Sequence, residues 1–307
     1  LAQPDILKSQ LHKKIARHKA RYDAMWQACE NMENYFERNV RQLFPAANWS
    51  VLEYADLARF SPERFPLPGD DQGLAEQRLS IAQLAAEAPD RSGAEMELRK
   101  EQADTEEIYC DSIIGFPLLL MHAFRIFGHR RSAGDISVRL SDARLNECFE
   151  DFISKATEED AIGFIECLWQ VRHQFDCWVV KWVGSAESTE RQLLLSSVSR
   201  SQSRGVYRLN RGLQQAVSDL TQLQSVSYFT RERGAQYWLT PFLGALVDRP
   251  LEHRADVERL LERIDNQLSL TRATQKEASF ALLSGDCGSL DDIPEGEFDY
   301  YGPPRDP

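Results

Sequence analysis

The stretch 162-IGFIECLWQVRHQFDCWVVKWV-183 decides the fold class of this chain. Phe164, Leu168, Val171, Phe175, Trp178 and Trp182 recur at steps of four, three, four, three and four, one continuous stripe at the helical period. The neighbouring stripe holds Ile165, Trp169, Arg172, Asp176 and Val179. Arg172 and Asp176 stand one turn apart, so a helix buried nearly all round can carry both charges as a pair. The spacing predicts a central post around which other helices pack. Thr157-Glu-Glu-Asp160 precedes it and supplies an N-terminal signal, with acids where the helix dipole favours them.

Outward from that post the pattern stays helical. Residues 4–44 read as helix with Pro4 and Asp5 at its start, ended by Pro45, and Trp49–Phe60 reads as a short helix. Pro62, Pro66, Pro68 and Gly69 then break the chain. Residues 70–107 are rich in Ala, Gln and Glu with few large apolar side chains, the composition of a connector. Further helices are predicted over 108–127, from a cap at Ser141 or Asp142 through Ile153, and over 213–228, 237–246 and 257–281. Strand alternation is almost absent. The expectation is an all-α, multi-helix bundle in two lobes: an N-terminal lobe over 1–66, a loose connector over 67–103, a main helical domain over 104–283 and an acidic tail over 284–307.

Composition narrows the class. With 307 residues and 42% hydrophobic content the chain can bury a substantial core. The net charge of −12 argues against a surface that grips nucleic acid on every side. Residues 286–307 hold seven acids against Arg305 alone, a balance of −6, so the rest of the chain carries only −6 and leaves room for a basic face. The cysteines at 29, 110, 148, 167, 177 and 287 stand singly with no CxxC spacing, which suits buried thiols in a reducing cytoplasm better than zinc or disulfides. The longest apolar run, Ile113–Phe124, is interrupted by Gly115, Pro117 and His122 and is too short to span a membrane.

Catalytic motifs do not emerge. The histidines at 12, 18, 122, 129, 173 and 253 form no HExxH or HxH, and no metal-ligand set is expected. Arg125 and His129 lie closer than the Arg-to-His spacing of helical ribonucleases of the HEPN kind. There is no GxxxxGK[ST] loop and no GxSxG elbow. The best phosphate-contact candidates are Arg200, Arg204, Arg208 and Arg211, which occur without an acid among them on one helix face or along an irregular loop, with Tyr207 available to stack. Arg130 and Arg131 in an expected turn join them. A solvated basic surface that offsets nearby acids accounts for the same residues, and core packing accounts for the tryptophans, Trp238 included. The basic early segment from Lys8 to Arg21 carries the same pair of readings.

Five segments in order, 26-WQACENMENYF-36, 113-IIGFPLLLMHAFRIFG-128, 138-VRLSDARLNECFEDF-152, 164-FIECLWQVRHQFDCWVVKWV-183 and 220-LTQLQSVSYFTRERGAQYWLTPFL-243, resemble the helical middle region of GmrSD-type modification-dependent restriction endonucleases of phage defence. The resemblance implies a ParB/sulfiredoxin-like N-terminal domain for nucleotide hydrolysis and a C-terminal His-Me finger nuclease. Gln77-Arg78 runs on into Leu-Ser, no Asp-Gly dipeptide occurs, and no histidine follows Gly285, so both catalytic ends are expected outside these residues. No catalytic residue and no cofactor is then expected in the segment itself, while the parent protein would use a nucleoside triphosphate and a divalent metal ion. What carries over is structural: Arg172, Phe175, Asp176, Trp178 and Lys181 in the stretch of an R-x-x-F-D helix, with Gln224, Ser225, Tyr237 and Trp238 in the LQS and YWL stretches, setting the packing. The expected partners are the flanking hydrolase and nuclease domains, with DNA and a second copy of the chain left open and no membrane. A non-catalytic helical interaction module is the competing reading.

Overall fold

The structure, a computed structural model, describes residues 3–67, 109–131, 138–184, 191–203, 206–213 and 218–284. Nearly all of the expected connector and the acidic tail lie outside the described residues. Among the described residues ten α-helices form the body: α1 (Gln3–Lys14), α2 (Lys19–Glu30), α3 (Phe36–Leu43), α4 (Phe116–Arg130), α5 (Leu145–Lys155), α6 (Glu158–Trp178), α7 (Asp219–Thr230), α8 (Leu239–Asp248), α9 (Arg254–Leu270) and α10 (Gln275–Ser284). Two small antiparallel sheets accompany them. One has the order β1 (Tyr109–Ser112), β2 (Lys181–Gly184), β3 (Arg191–Leu194), and the other is the hairpin β4 (Ser196–Ser203) and β5 (Val206–Leu213). The protein is therefore largely helical but not purely all-α.

The post predicted from the sequence is α6. Thr157 Oγ1 accepts from the Asp160 backbone N–H and the Asp160 carboxylate accepts from the Thr157 N–H, a reciprocal cap that satisfies two otherwise orphaned donors. Phe164, Leu168, Val171 and Phe175 are fully buried and Trp178 half-buried. The helix stops at Trp178, short of the expected Val183. Gln224 of α7 donates to the Trp178 carbonyl at 2.7 Å and accepts from the Val180 N–H at 3.0 Å, taking two backbone groups out of the helical ladder. The β-branched pair Val179 and Val180 then leads into β2, and Trp182 pairs with β1 and β3 rather than extending the stripe.

Three further expectations change. The helix over 4–44 is three helices, broken at His18, whose φ of 57° is left-handed, and again after Glu30. The expected helix at 49–60 shrinks to a 3-10 turn over Tyr54–Ala58, and the polar stretch after Leu193 is strand. Residues on both sides of 68–108 contribute to one core. Residues from Leu7 to Phe65 and from Ile113 to Leu282 belong to a single contiguous hydrophobic cluster, with α2 and α4 both packed on α6 and α1 on α5. At its centre Trp169 of α6 meets Phe36, Phe44, Phe60 and Phe65 with ring centroids 4.8–6.1 Å apart, and its indole donates to the Leu57 carbonyl at 2.7 Å.

Candidate functional site

The polar face of α6 runs through Trp169, Arg172, His173 and Asp176, at the i, i+3, i+4, i+7 spacing of one helical surface. Each of these side chains reaches a backbone group of the N-terminal segment. Besides Trp169, Arg172 Nη2 donates to the carbonyls of Asn31 (3.2 Å) and Asn34 (2.7 Å), where α2 gives way to α3. His173 Nε2 meets the Tyr54 carbonyl at 3.1 Å, and its ring stacks on Tyr54 with centroids 4.7 Å apart. Asp176 Oδ2 accepts from the Phe36 N–H at 2.5 Å, placing a carboxylate at the N-terminus of α3, whose own N-cap residue, Tyr35, supplies no capping side chain.

Asp176 is also the hub of a buried ion cluster. Arg172 Nη2 is 3.1 Å from Oδ2 and Lys181 Nζ is 2.9 Å from Oδ1, and the Arg172 and Asp176 side chains are wholly inaccessible to solvent. Arg211 of β5 closes the other side. Its guanidinium donates bidentately to Glu37 at 2.8 and 2.9 Å, and further to the Asp176 carbonyl, Ser196 Oγ and Tyr54 Oη at 2.7–3.0 Å. Its Cζ lies 4.1 Å from the Tyr35 ring centroid, while Lys181 Nζ lies 4.5 Å from the same centroid. Three cations, Arg172, Lys181 and Arg211, thus surround two carboxylates, Asp176 and Glu37, in a region closed to water.

Protonation follows from that enclosure. Burial alone would raise the Asp176 carboxyl, but Arg172, Lys181 and Arg211 outweigh it and hold it below the usual carboxylate range. Burial pulls Lys181 below the ordinary lysine range despite Asp176. Arg211 goes the other way: burial opposes its charge, yet Glu37 and Tyr54 hold it well above the ordinary value. Desolvation pushes His173 down to about 4 and Cys177 up to about 12, so near neutral pH the imidazole is uncharged and the thiol protonated. Cys29, Cys110, Cys148 and Cys167 are buried free thiols. Such an arrangement is suited to clamping segments together, with the side chains of all five charged members at most 3% exposed.

The arginines proposed for phosphate contact fall in different settings. Arg211 is inside the ion cluster, its side chain 1% exposed, which corrects its placement on a phosphate-facing surface. Arg130 pairs with Asp248 at 2.5 Å and reaches Gln170, and Arg131 pairs with Asp160. Arg200, exposed on β4, donates to the Ser50 carbonyl and lies 3.9 Å from Glu53. Arg208 lies in β5, and Arg204 falls outside the described residues. Of the four arginines expected on a helix face or loop, Arg200, Arg208 and Arg211 therefore lie in the strands of a β-hairpin.

Of the residues expected to set packing, Arg172, Phe175, Asp176, Lys181 and Trp238 are buried. Trp238 donates its indole N–H to Gln236 at 2.6 Å. Sequence reading missed Glu37, Tyr35, Tyr54 and Ser196, which complete the cluster from α3, the 3-10 turn and β4; only Glu37, an acid set between Tyr35-Phe36 and Val40, gave any local hint. Among the described residues no group of three or more His, Cys, Asp or Glu side chains is placed to hold a metal ion. Comparison with protein-family models, with curated proteins and with solved structures gives no match for this chain.

Proposed function

We propose that this chain is the helical scaffold of a GmrSD-like, nucleotide-dependent DNA endonuclease of antiphage defence. Its task is to hold hydrolase and nuclease domains lying outside these residues at a working separation. The observation that supports a scaffold is the buried ion cluster, which ties α3, α6, β2 and the β4–β5 hairpin into one unit through charge pairs that are costly to break. Nucleotide and divalent metal would be bound by the flanking domains, where the metal would supply an activated water for attack on phosphate. The setting is the cytoplasm. No helix among the described residues is long and apolar enough to cross a membrane.

In this reading the hairpin is the DNA-contacting element, because Arg211 anchors its root while Arg200 and Arg208 lie on its two strands. The test is retention of duplex DNA by the purified chain across a salt series, with Arg204→Ala and Arg208→Ala. Each true phosphate contact removed should weaken binding and reduce the salt slope by about 0.9. Absence of DNA retention at low salt sinks the DNA role, and robust DNA cleavage by this chain alone sinks the scaffold. The competing reading, a helical interaction module, is favoured by exposed Val226 and Phe229 on α7. Its outcome would be capture of a protein partner without DNA.

A further inference from the structure

Val226 and Phe229 stand one turn apart on α7 and are 54% and 50% exposed, with half-buried Leu223 continuing the same face one turn earlier. Trp182 of β2 packs its ring edge-on to Phe229 and Tyr228 at 6.1 and 6.0 Å, which extends the apolar surface across the strand. At the far end the exposed Arg233 lies with its guanidinium 4.7 Å from the Phe229 ring centroid and 5.6 Å from that of Tyr228. A continuous apolar face with a cation at its rim is the recognition chemistry for an aromatic segment carrying acids.

The chain contains such a segment. Residues 295–301 read Glu-Gly-Glu-Phe-Asp-Tyr-Tyr, and 286–307 carry a balance of −6. The connection is short enough. Arg231, two residues beyond Phe229, donates to the Gln275 side chain at 3.0 Å, so α10 begins beside the C-terminal end of α7. The ten residues of α10 rise about 15 Å, which leaves Ser284 within roughly 30 Å of Phe229. Phe298 follows Ser284 by 14 residues, a reach of up to ~46 Å.

We propose that residues 295–301 dock on the Leu223, Val226 and Phe229 face of α7 in the same chain, Phe298 and the tyrosines covering the apolar strip and the neighbouring carboxylates meeting Arg233. The tail then occupies a binding face that a partner has to win by displacing it. Two measurements on the full chain decide this. A photo-crosslinking benzoylphenylalanine in place of Phe298, with a mixture of isotopically light and heavy protein, should give crosslinks within one chain to peptides spanning 220–233. Chymotryptic cleavage after Tyr300 and Tyr301 should quicken at least tenfold in Val226→Glu/Phe229→Glu, and also in Arg233→Glu. Crosslinks to other elements, mixed-isotope crosslinks that reveal a second copy, or unchanged cleavage in a folded variant would each overturn the proposal. Should the double variant lose its helical signal, the crosslink map on unaltered α7 decides alone.

Discussion

Asp176 uses two oxygens to hold a helix N-terminus and two cations, with partners on α3, α6 and β2. Replacing it by alanine strips the countercharge from buried Arg172 and Lys181 and the cap from α3, so a loss of about 3–5 kcal/mol is expected by chemical denaturation. A loss under about 1 kcal/mol would reject the hub. His173 belongs to a different pH window. The Tyr54 carbonyl only accepts, which assigns the proton to Nε2 and leaves the buried Nδ1 without a partner. Protonating Nδ1 would bury a second N–H with no acceptor, in keeping with the fall to about 4 that desolvation causes. Between the unfolded value near 6.5 and the folded value near 4, the unfolded chain binds a proton that the fold refuses, so stability falls as pH falls. From pH 7 to pH 5 this one residue should cost roughly 2 kcal/mol. Buried His122, lowered to about 3, adds a loss of the same sign. Urea midpoints at the two pH values should show a smaller drop in His173→Phe than in the parent, and an equal drop would rule the residue out.

Among the elements, α6 was legible because its cap and its buried stripe are both local in sequence: Thr157 with Asp160, then Phe164 to Phe175. Its end was not, since Val179, Val180 and Trp182 prolong the apolar series and the group that terminates the helix, Gln224, arrives from 46 residues away. The breaks between α2 and α3 were hidden for a similar reason, because Arg172 and Asn39 take the carbonyls there only once the chain has folded. The hairpin escaped because its alternation is written in charge. Pairing of Val198 with Arg211 and of Arg200 with Leu209 puts those four residues on one face, where apolar residues would ordinarily mark a strand. Gly205, between the two runs, was the available turn cue. Arg211 is therefore expected to anchor the element. Arg211→Met leaves Glu37 buried without its partner and should cost about 3–5 kcal/mol. Glu37→Gln with Arg211→Met should be less damaging than the sum of the single changes. A double-mutant cycle returning near-zero coupling would show that Arg211 stabilises the hairpin without Glu37.

For the whole molecule, composition reads 67–103 as a connector and carries no signal for whether the elements on either side pack together. They do. Trp26 of α2 meets Phe116 of α4 edge-on at 5.4 Å, Phe36 meets Trp169 at 4.8 Å, and the Phe36 N–H to Asp176 bond joins residues 140 apart. Apolar burial on that scale does not need chain continuity to persist once the partners are in place, because the hydrophobic term depends on area removed from water. A specific protease site inserted between Glu87 and Ala88 should then yield two fragments that co-elute on size exclusion, keep their helical circular dichroism and separate only in denaturant. The ion cluster predicts the weak point of that complex, since its Asp176 and Phe36 lie on opposite sides of the cut. Asp176→Ala should let the cleaved pair dissociate at lower urea than the cleaved parent. Fragments that part in native buffer would show instead that residues 3–67 and 109–284 fold as separate lobes, and the clamp between them would be the first claim to fall.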